Sequence, residues 1–464
     1  MLVSEAEGIS RSRQASSLTA IPAISIRNNF NKLIDMLSAE DRKRIIELIS
    51  REVVPAMGCT EPIAVSLCVA KATELLGSTP EKINVGLSGN IIKNAMGVGI
   101  PGTGMIGLPI AVALGALIGK SEYQLEVIRD VDAEAVARGK AYIDEGHINI
   151  YHIDDTPSNL HIDVSVSGNG HEARAVISRA HTNFILLKRD GEVVMQERPL
   201  DESDSATANE DIALNARMVY DFAIESPLEE IRFILRARDL NKAASSHAMD
   251  GDFGHSLGVT IKNKGISLLG DSPLGRMMAA TSAACDARMG GAPIAVMSNS
   301  GSGNQGITAT MPVVTYAEEI GADEEQLIRA LTLSHLTSIY IKQSLGRLSA
   351  LCGCVVASTG ASSALVYLMG GGFENVCAAI KNMVANLTGM ICDGAKPSCA
   401  MKISSGVSTA ALSAMLAMNG KCVSSAEGIV CDDIDSTIHN LTSIGREAMN
   451  ETDRLVLKIM TTKS

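Results

Sequence analysis

Ile391-Cys392-Asp393-Gly394-Ala395-Lys396-Pro397-Ser398-Cys399 sets two cysteines seven positions apart across a stretch too rich in Gly and Pro to be helix, so both sulfurs can turn toward one point. Cys352 lies forty positions before Cys392, with Cys354 beside it. The helix and loop content between them can fold that pair back onto the loop. Three thiolates, Cys352, Cys392 and Cys399, can hold a four-iron cluster and leave one iron open, whereas an electron carrier normally closes every corner with protein sulfur. Spacing alone is equally compatible with buried cysteines acting as small hydrophobes. Cys-x-x-Cys pairs, which would signal zinc or redox work, are absent.

Around this loop the chain reads as helix, at Glu324 to Gly346, Ala378 to Thr388 and Val407 to Met418, with glycine-rich loops between. The earlier half reads differently. Ser38-Ala39-Glu40-Asp41 has the form of a capping box, and Ile45, Ile46, Ile49 and Val53 recur at helical spacing until Pro55 stops the run. A second helix starts at Glu61-Pro62 and closes at Gly77. Strand patterns then follow at Ile83 to Leu87, Ile148 to Ile153, His161 to Val166, Ala173 to Arg179 and Phe184 to Lys188, with Asn169-Gly170 and Asp190-Gly191 as hairpin turns. The acidic, polar stretch from Gln196 to Asp211 is the expected boundary. The fold class expected is therefore α+β: a flexible tail over 1–34, a mixed domain over 35–200 carrying Cys59, and a larger, mostly helical domain over 201–464 carrying Cys352, Cys392 and Cys399.

Composition excludes several classes. With 464 residues, 46% hydrophobic and 20% charged, the chain can bury a large core and is not disordered. It has no Trp, six Phe and seven Tyr against 41 Gly and 21 Met, so small residues must allow backbones to approach closely. A net charge of -12 without a basic run argues against nucleic acid. Ten cysteines in so long a chain suggest reduced thiols in a cytoplasmic setting. Residues 8–34 lack acids and contain Arg11, Arg13 and Arg27, the character of a transit peptide for a mitochondrion-related organelle, although a floppy N-terminus is the simpler reading. Asn94 to Gly119 and Leu348 to Phe373 are free of charge but broken by Gly, Pro and Ser, and read as buried segments of a protein outside the membrane.

Cys59, in Gly58-Cys59-Thr60-Glu61-Pro62, precedes a helix start, where unpaired N–H groups and the dipole favour a thiolate and would equally bind a carboxylate. A cysteine tucked into a turn is the bland alternative. The runs Gly97 to Gly104 and Ser298 to Gly306 follow no nucleotide pattern, yet each could cradle a small anion with backbone N–H groups, or simply be a tight turn. His181 and His335 are candidate bases, with a satisfied structural histidine the commoner outcome.

Four blocks in fixed order, Gly58-Cys59-Thr60-Glu61-Pro62-Ile63-Ala64-Val65, Ser300 to Gly306, Leu351-Cys352-Gly353-Cys354 and Gly389 to Lys396, make the chain from about residue 38 onward resemble the L-cysteine desulfidase family, itself similar to the alpha chain of iron-sulfur L-serine dehydratase. The resemblance implies a lyase that splits L-cysteine into hydrogen sulfide, pyruvate and ammonia with a 4Fe-4S cluster in place of pyridoxal phosphate. It implies Cys352, Cys392 and Cys399 as cluster ligands and Cys59 as proton acceptor. Thr60, Ser300 and Asn304 are the candidate contacts to a small amino-acid substrate. Either sulfur of Cys352-Gly353-Cys354 could serve, and Cys352 is preferred because its distance to Cys392 fits the family pattern better. The serine dehydratases place their second and third cysteines further apart and use a Ser/His-type motif at the base, which tilts the substrate toward cysteine without excluding serine. Two other readings stand beside this one: pyridoxal phosphate on Lys396 or Lys402, and a non-enzymatic iron-sulfur sensor with Cys354 as fourth ligand. Self-association into a homo-oligomer is compatible with all of them.

Overall fold

The computed structural model describes residues 37–197, 211–263, 268–346 and 349–462. The tail over 1–34 and most of the acidic boundary stretch lie outside the described residues. The fold is mixed, 59% helix and 12% strand, with a sheet in the N-terminal part and a helical C-terminal part, so the expected α+β class holds.

The first helix, Ala39–Glu52, is capped by Ser38, whose hydroxyl oxygen accepts from the Asp41 amide at 3.0 Å. Pro55 then opens a three-residue strand, β1 (Pro55–Met57). Helix Thr60–Leu76 follows and ends on Gly77 in the left-handed conformation, φ 83°. Its residues are buried almost all round, because it lies between the sheet and helix Leu108–Leu117.

The sheet contains β2 (Lys82–Leu87), β3 (Ile148–His152), β4 (His161–Gly168), β5 (His171–Ser178), β6 (Phe184–Arg189) and β7 (Glu192–Gln196) in the order β3-β2-β4-β5-β6-β7. Only β2 and β3 run parallel, joined by a crossover of helices Gly89–Ala95, Leu108–Leu117 and Ala133–Asp144. Asn169 and Gly170, and likewise Asp190 and Gly191, all have positive φ, as the two hairpin turns require. Along β4, Ile162, Val164 and Val166 face the core in alternation. The strand β7 went unread in the sequence because it is an edge strand with Val193 and Val194 exposed, so no inward alternation marks it.

A second hydrophobic core gathers the helices Pro273–Met289, Gly303–Ile320, Glu324–Leu345, Gly353–Leu368, Phe373–Leu387 and Cys399–Met418. Small residues bring these backbones together: a Cβ on Gly360 would stand 2.2 Å from the Ser334 carbonyl oxygen. The chain crosses between the two cores more than once. Ile45, Leu48 and Ile49 of the first helix join the C-terminal core, Arg42 pairs with Glu230 at 3.0 Å, and β1 pairs antiparallel with β8 (Ala295–Met297). Neither β1 nor β8 was legible in sequence, since each is three residues long and exists only through the other.

The two uncharged stretches form helices Leu108–Leu117 and Gly353–Leu368, both too short to cross a bilayer. Among the described residues one helix, Cys399–Met418, is long and apolar enough to cross a membrane, and more than half of it is buried among neighbouring helices.

Candidate active site

The two cores meet at a cavity of about 910 Å³, and the cysteines converge there: Cys59, Cys352, Cys354, Cys392 and Cys399 all line it. The convergence is built by backbone. Leu351 and Ile391 form an isolated antiparallel bridge, with the Cys352 amide donating to Met390 O at 2.9 Å and the Cys392 amide to Ala350 O at 2.6 Å. Cys352 thereby becomes the N-cap of helix Gly353–Leu368 beside Cys392. Cys399 is the first residue of helix Cys399–Met418, its amide donating to Lys396 O at 2.9 Å. Gly394 makes the intervening loop feasible, because its φ is 92° and a Cβ there would stand 2.0 Å from Lys93 O.

Burial raises the Cys352 thiol to about 12, and the neighbouring Cys392 adds to the shift, as two like groups close together must. Burial also raises Cys399, against the amide and lysine charge at Lys396. Asp393 is pushed up by burial but held at about 2 by hydrogen bonds from Lys396 and Lys402. Both lysines are thus committed to Asp393, and Lys402 also donates to Ile391 O at 3.0 Å. Neither is a free amine poised for a Schiff base.

Among the described residues no group of three or more His, Cys, Asp or Glu side chains already stands at metal-binding spacing. Cys352, Cys392 and Cys399 nevertheless bring three sulfurs, the donor type that an iron-sulfur cluster takes, to one cavity. Cys352, Cys392 and Cys399 are partly exposed to one cavity, while Cys354 donates to Lys402 O at 3.1 Å and is the atom a Cβ on Gly406 would strike at 2.5 Å. A sulfur wedged between two helices is poorly placed to leave for a metal.

Cys59 sits as expected at the N-cap of helix Thr60–Leu76, but not as a thiolate. Its thiol is 2% exposed and donates to Glu61 Oε2 at 2.8 Å. Burial first, and the Glu61 charge second, push its pKa well up, so desolvation and a nearby carboxylate outweigh the helix terminus and the opposing Arg288 charge.

Of the candidate substrate contacts, Asn304 lines the cavity. Thr60 and Ser300 do not: the Thr60 hydroxyl donates to Glu61 Oε2 at 3.2 Å, and Ser300 Oγ to Asn299 Oδ1 at 2.8 Å. His181 lines the cavity, whereas His335 is wholly buried and structural. Its Nδ1 accepts from Asn299 Nδ2 at 3.1 Å, which leaves Nε2–H to donate to Thr310 Oγ1 at 3.0 Å. Burial lowers its pKa to about 3. The histidine pins the turn that leads into helix Gly303–Ile320, together with Asn241, which bonds Gly306 O and Thr310.

Three residues were missed in sequence: Glu61, Arg288 and Gln305. Gln305 stood inside a glycine-rich run already singled out. Arg288 follows Asp286 by two positions in the last turn of helix Pro273–Met289, so in sequence it reads as half of an ordinary charged pair.

Residues 122–458 match the family model described as serine dehydratase alpha chain. A UPF0597 protein of Bacteroides fragilis is 60% identical across 92% of this chain and 100% of its own length. One of Porphyromonas gingivalis is 54% identical, over 92% and 100% respectively. One of Oleidesulfovibrio alaskensis is 47% identical, over 90% and 98%. Cys352, Cys392, Cys399, Arg288 and Asn304 fall inside the matched family span, and Cys59 precedes it.

Proposed function

The chain belongs to the serine dehydratase alpha-chain family, and from that membership we propose an iron-sulfur lyase that eliminates across the Cα–Cβ bond of L-cysteine to give hydrogen sulfide, pyruvate and ammonia. The observation that carries the reading is the convergence of Cys59, Cys352, Cys392 and Cys399, from three separate segments, on one cavity. Cys352, Cys392 and Cys399 would hold the cluster. When bound, it supplies a Lewis-acidic iron that polarises the bond to the leaving group.

The protein's own groups handle the proton. Cys59 Sγ passes its proton to Glu61 Oε2, the acceptor it already faces, and the resulting thiolate takes the proton from Cα. The Cα–Cβ double bond forms as the Cβ–S bond breaks, and sulfur leaves with the bonding pair and takes up the proton held on Glu61, which restores both side chains. The enamine product tautomerises to an imine and hydrolyses to pyruvate and ammonia. A positioned base contributes about 10² to 10⁴ in rate. The free thiols suit a reducing, cytoplasmic setting.

L-Serine is the second reading, favoured by the description of the matched family. Anaerobic reconstitution with iron and sulfide, followed by parallel sulfide and pyruvate assays on L-cysteine and L-serine, separates the two. Pyruvate from serine without sulfide from cysteine would reverse the order, and neither product from either would end the lyase reading.

A further inference from the structure

Arg288 is a buried cation that no carboxylate among the described residues reaches at ion-pair distance. It is 3% exposed and lines the cavity. Its neighbour Asp286 is spent on the amides of His255 and Gly258. Two of the five guanidinium N–H groups are used, Nε on Gly58 O at 3.1 Å and Nη1 on Asn304 Oδ1 at 3.0 Å, and both acceptors are neutral. An isolated charge is costly to bury unless something anionic completes it. The position at the end of helix Pro273–Met289 offsets part of that cost, since the dipole there favours a cation.

One residue beyond Asn304 lies a second incomplete group. Gln305 is 2% exposed and lines the same cavity, and its Oε1 has no hydrogen-bond partner. The amide orientation follows from its other end, where Nε2 donates to Asn299 O at 3.2 Å; reversing it would oppose two oxygens. Buried acceptors are normally satisfied, and of the four unsatisfied ones among the described residues Gln305 Oε1 alone belongs to the cavity wall. The two groups are held in register by Gly303, where a Cβ would stand 2.3 Å from Arg288 Nε, and by Gly353, where one would stand 3.1 Å from Gln305 Oε1.

We propose that Arg288 and Gln305 form the clamp for the zwitterionic end of an α-amino acid, with the carboxylate on the open guanidinium N–H groups and the ammonium donating to Gln305 Oε1. The assignment rests on the lyase reading only for what happens at the side chain, and it selects α-amino acids over hydroxy acids and simple carboxylates. A positive group bonded to Asn304 and a neutral acceptor on the next residue, Gln305, at the start of helix Gly303–Ile320, match a ligand that carries its anion and its N–H donors on one carbon. Orientation follows: a substrate gripped by both ends directs its Cβ substituent away from the clamp.

The test uses the full chain, reconstituted anaerobically, with three ligands that cannot eliminate: L-alanine, propionate and ethylamine, with binding read by saturation-transfer NMR. L-Alanine is expected to bind about tenfold or more tightly than either partial ligand. Arg288→Gln should weaken L-alanine and propionate together by about a hundredfold. Gln305→Leu should weaken L-alanine while leaving propionate unchanged, with the thermal midpoint recorded for each variant. Equal binding of L-alanine and propionate, or an Arg288→Gln protein that folds and binds L-alanine normally, overturns the clamp. If a variant fails to fold, the three-ligand comparison on the unaltered chain decides alone. L-Alanine binding as expected in a protein that turns over neither cysteine nor serine would keep the clamp and remove the lyase.

Discussion

Arg288 Nε donates to the carbonyl oxygen of Gly58 at 3.1 Å, joining residues 230 positions apart. This bond fixes the turn that presents Cys59, whose thiol is the next side chain along, to the helix that presents Arg288. The base candidate and the cation are therefore tied together, although they lie more than two hundred positions apart in the chain.

Cysteine replacements should sort by position. Cys352→Ser, Cys392→Ser and Cys399→Ser are each expected to lose most of the reconstituted iron and its visible absorption, while Cys354→Ser keeps both, because its sulfur is turned to Lys402 O. Iron per chain measured anaerobically decides it. Full iron in Cys352→Ser with loss in Cys354→Ser would exchange their roles.

Removing the proton acceptor should separate chemistry from assembly. Cys59→Ala is expected to keep its iron and fall by about 10² to 10⁴ in kcat, and Glu61→Gln to fall in the same direction, since it takes away the acceptor 2.8 Å from Cys59 Sγ. Full turnover in Cys59→Ala with an intact cluster would remove the base assignment.

Gly394→Ala places a Cβ 2.0 Å from a backbone oxygen at a φ of 92°. The loop between Cys392 and Cys399 must shift, so cluster uptake should drop while the far-ultraviolet circular dichroism stays unchanged. Unaltered iron content would show that the loop has slack.

His335 makes stability depend on pH. Its folded pKa of about 3 lies below the ordinary 6.5, so between these values the unfolded chain binds the proton and the folded one does not. Its contribution is complete above pH 6.5 and is lost as pH falls toward 3, at up to about 1.4 kcal/mol per pH unit. Urea midpoints from pH 7 to pH 5 should fall less in His335→Gln than in the unaltered protein. Parallel slopes would contradict this.

Much of the fold was legible because its signals are local. Ser38, Gly77 and the Asn169-Gly170 and Asp190-Gly191 turns each act through neighbouring residues, and the alternation in β4 needs only one buried face. β1, β8 and the edge strand β7 escaped, since a strand of three residues or one exposed on both sides carries no pattern of its own. At the site, the cysteines announced themselves by residue type. Glu61, Arg288 and Gln305 did not, because their meaning lies in what they lack or face across the cavity. The expectation of a Cys59 thiolate failed for the same reason: a helix start is visible in sequence, whereas complete burial beside a carboxylate is not.

The sequence by itself determined the residue types able to bind metal, the break in helix between Cys392 and Cys399, and the helix that begins after Cys59, since these follow from side-chain chemistry and short-range backbone preference. Only the tertiary structure decided which sulfurs face a common space, the burial of Cys59 beside Glu61, and the want of a carboxylate partner for Arg288 among the described residues. Burial and charge pairing are sums over segments hundreds of residues apart, and no local stretch of chain contains them.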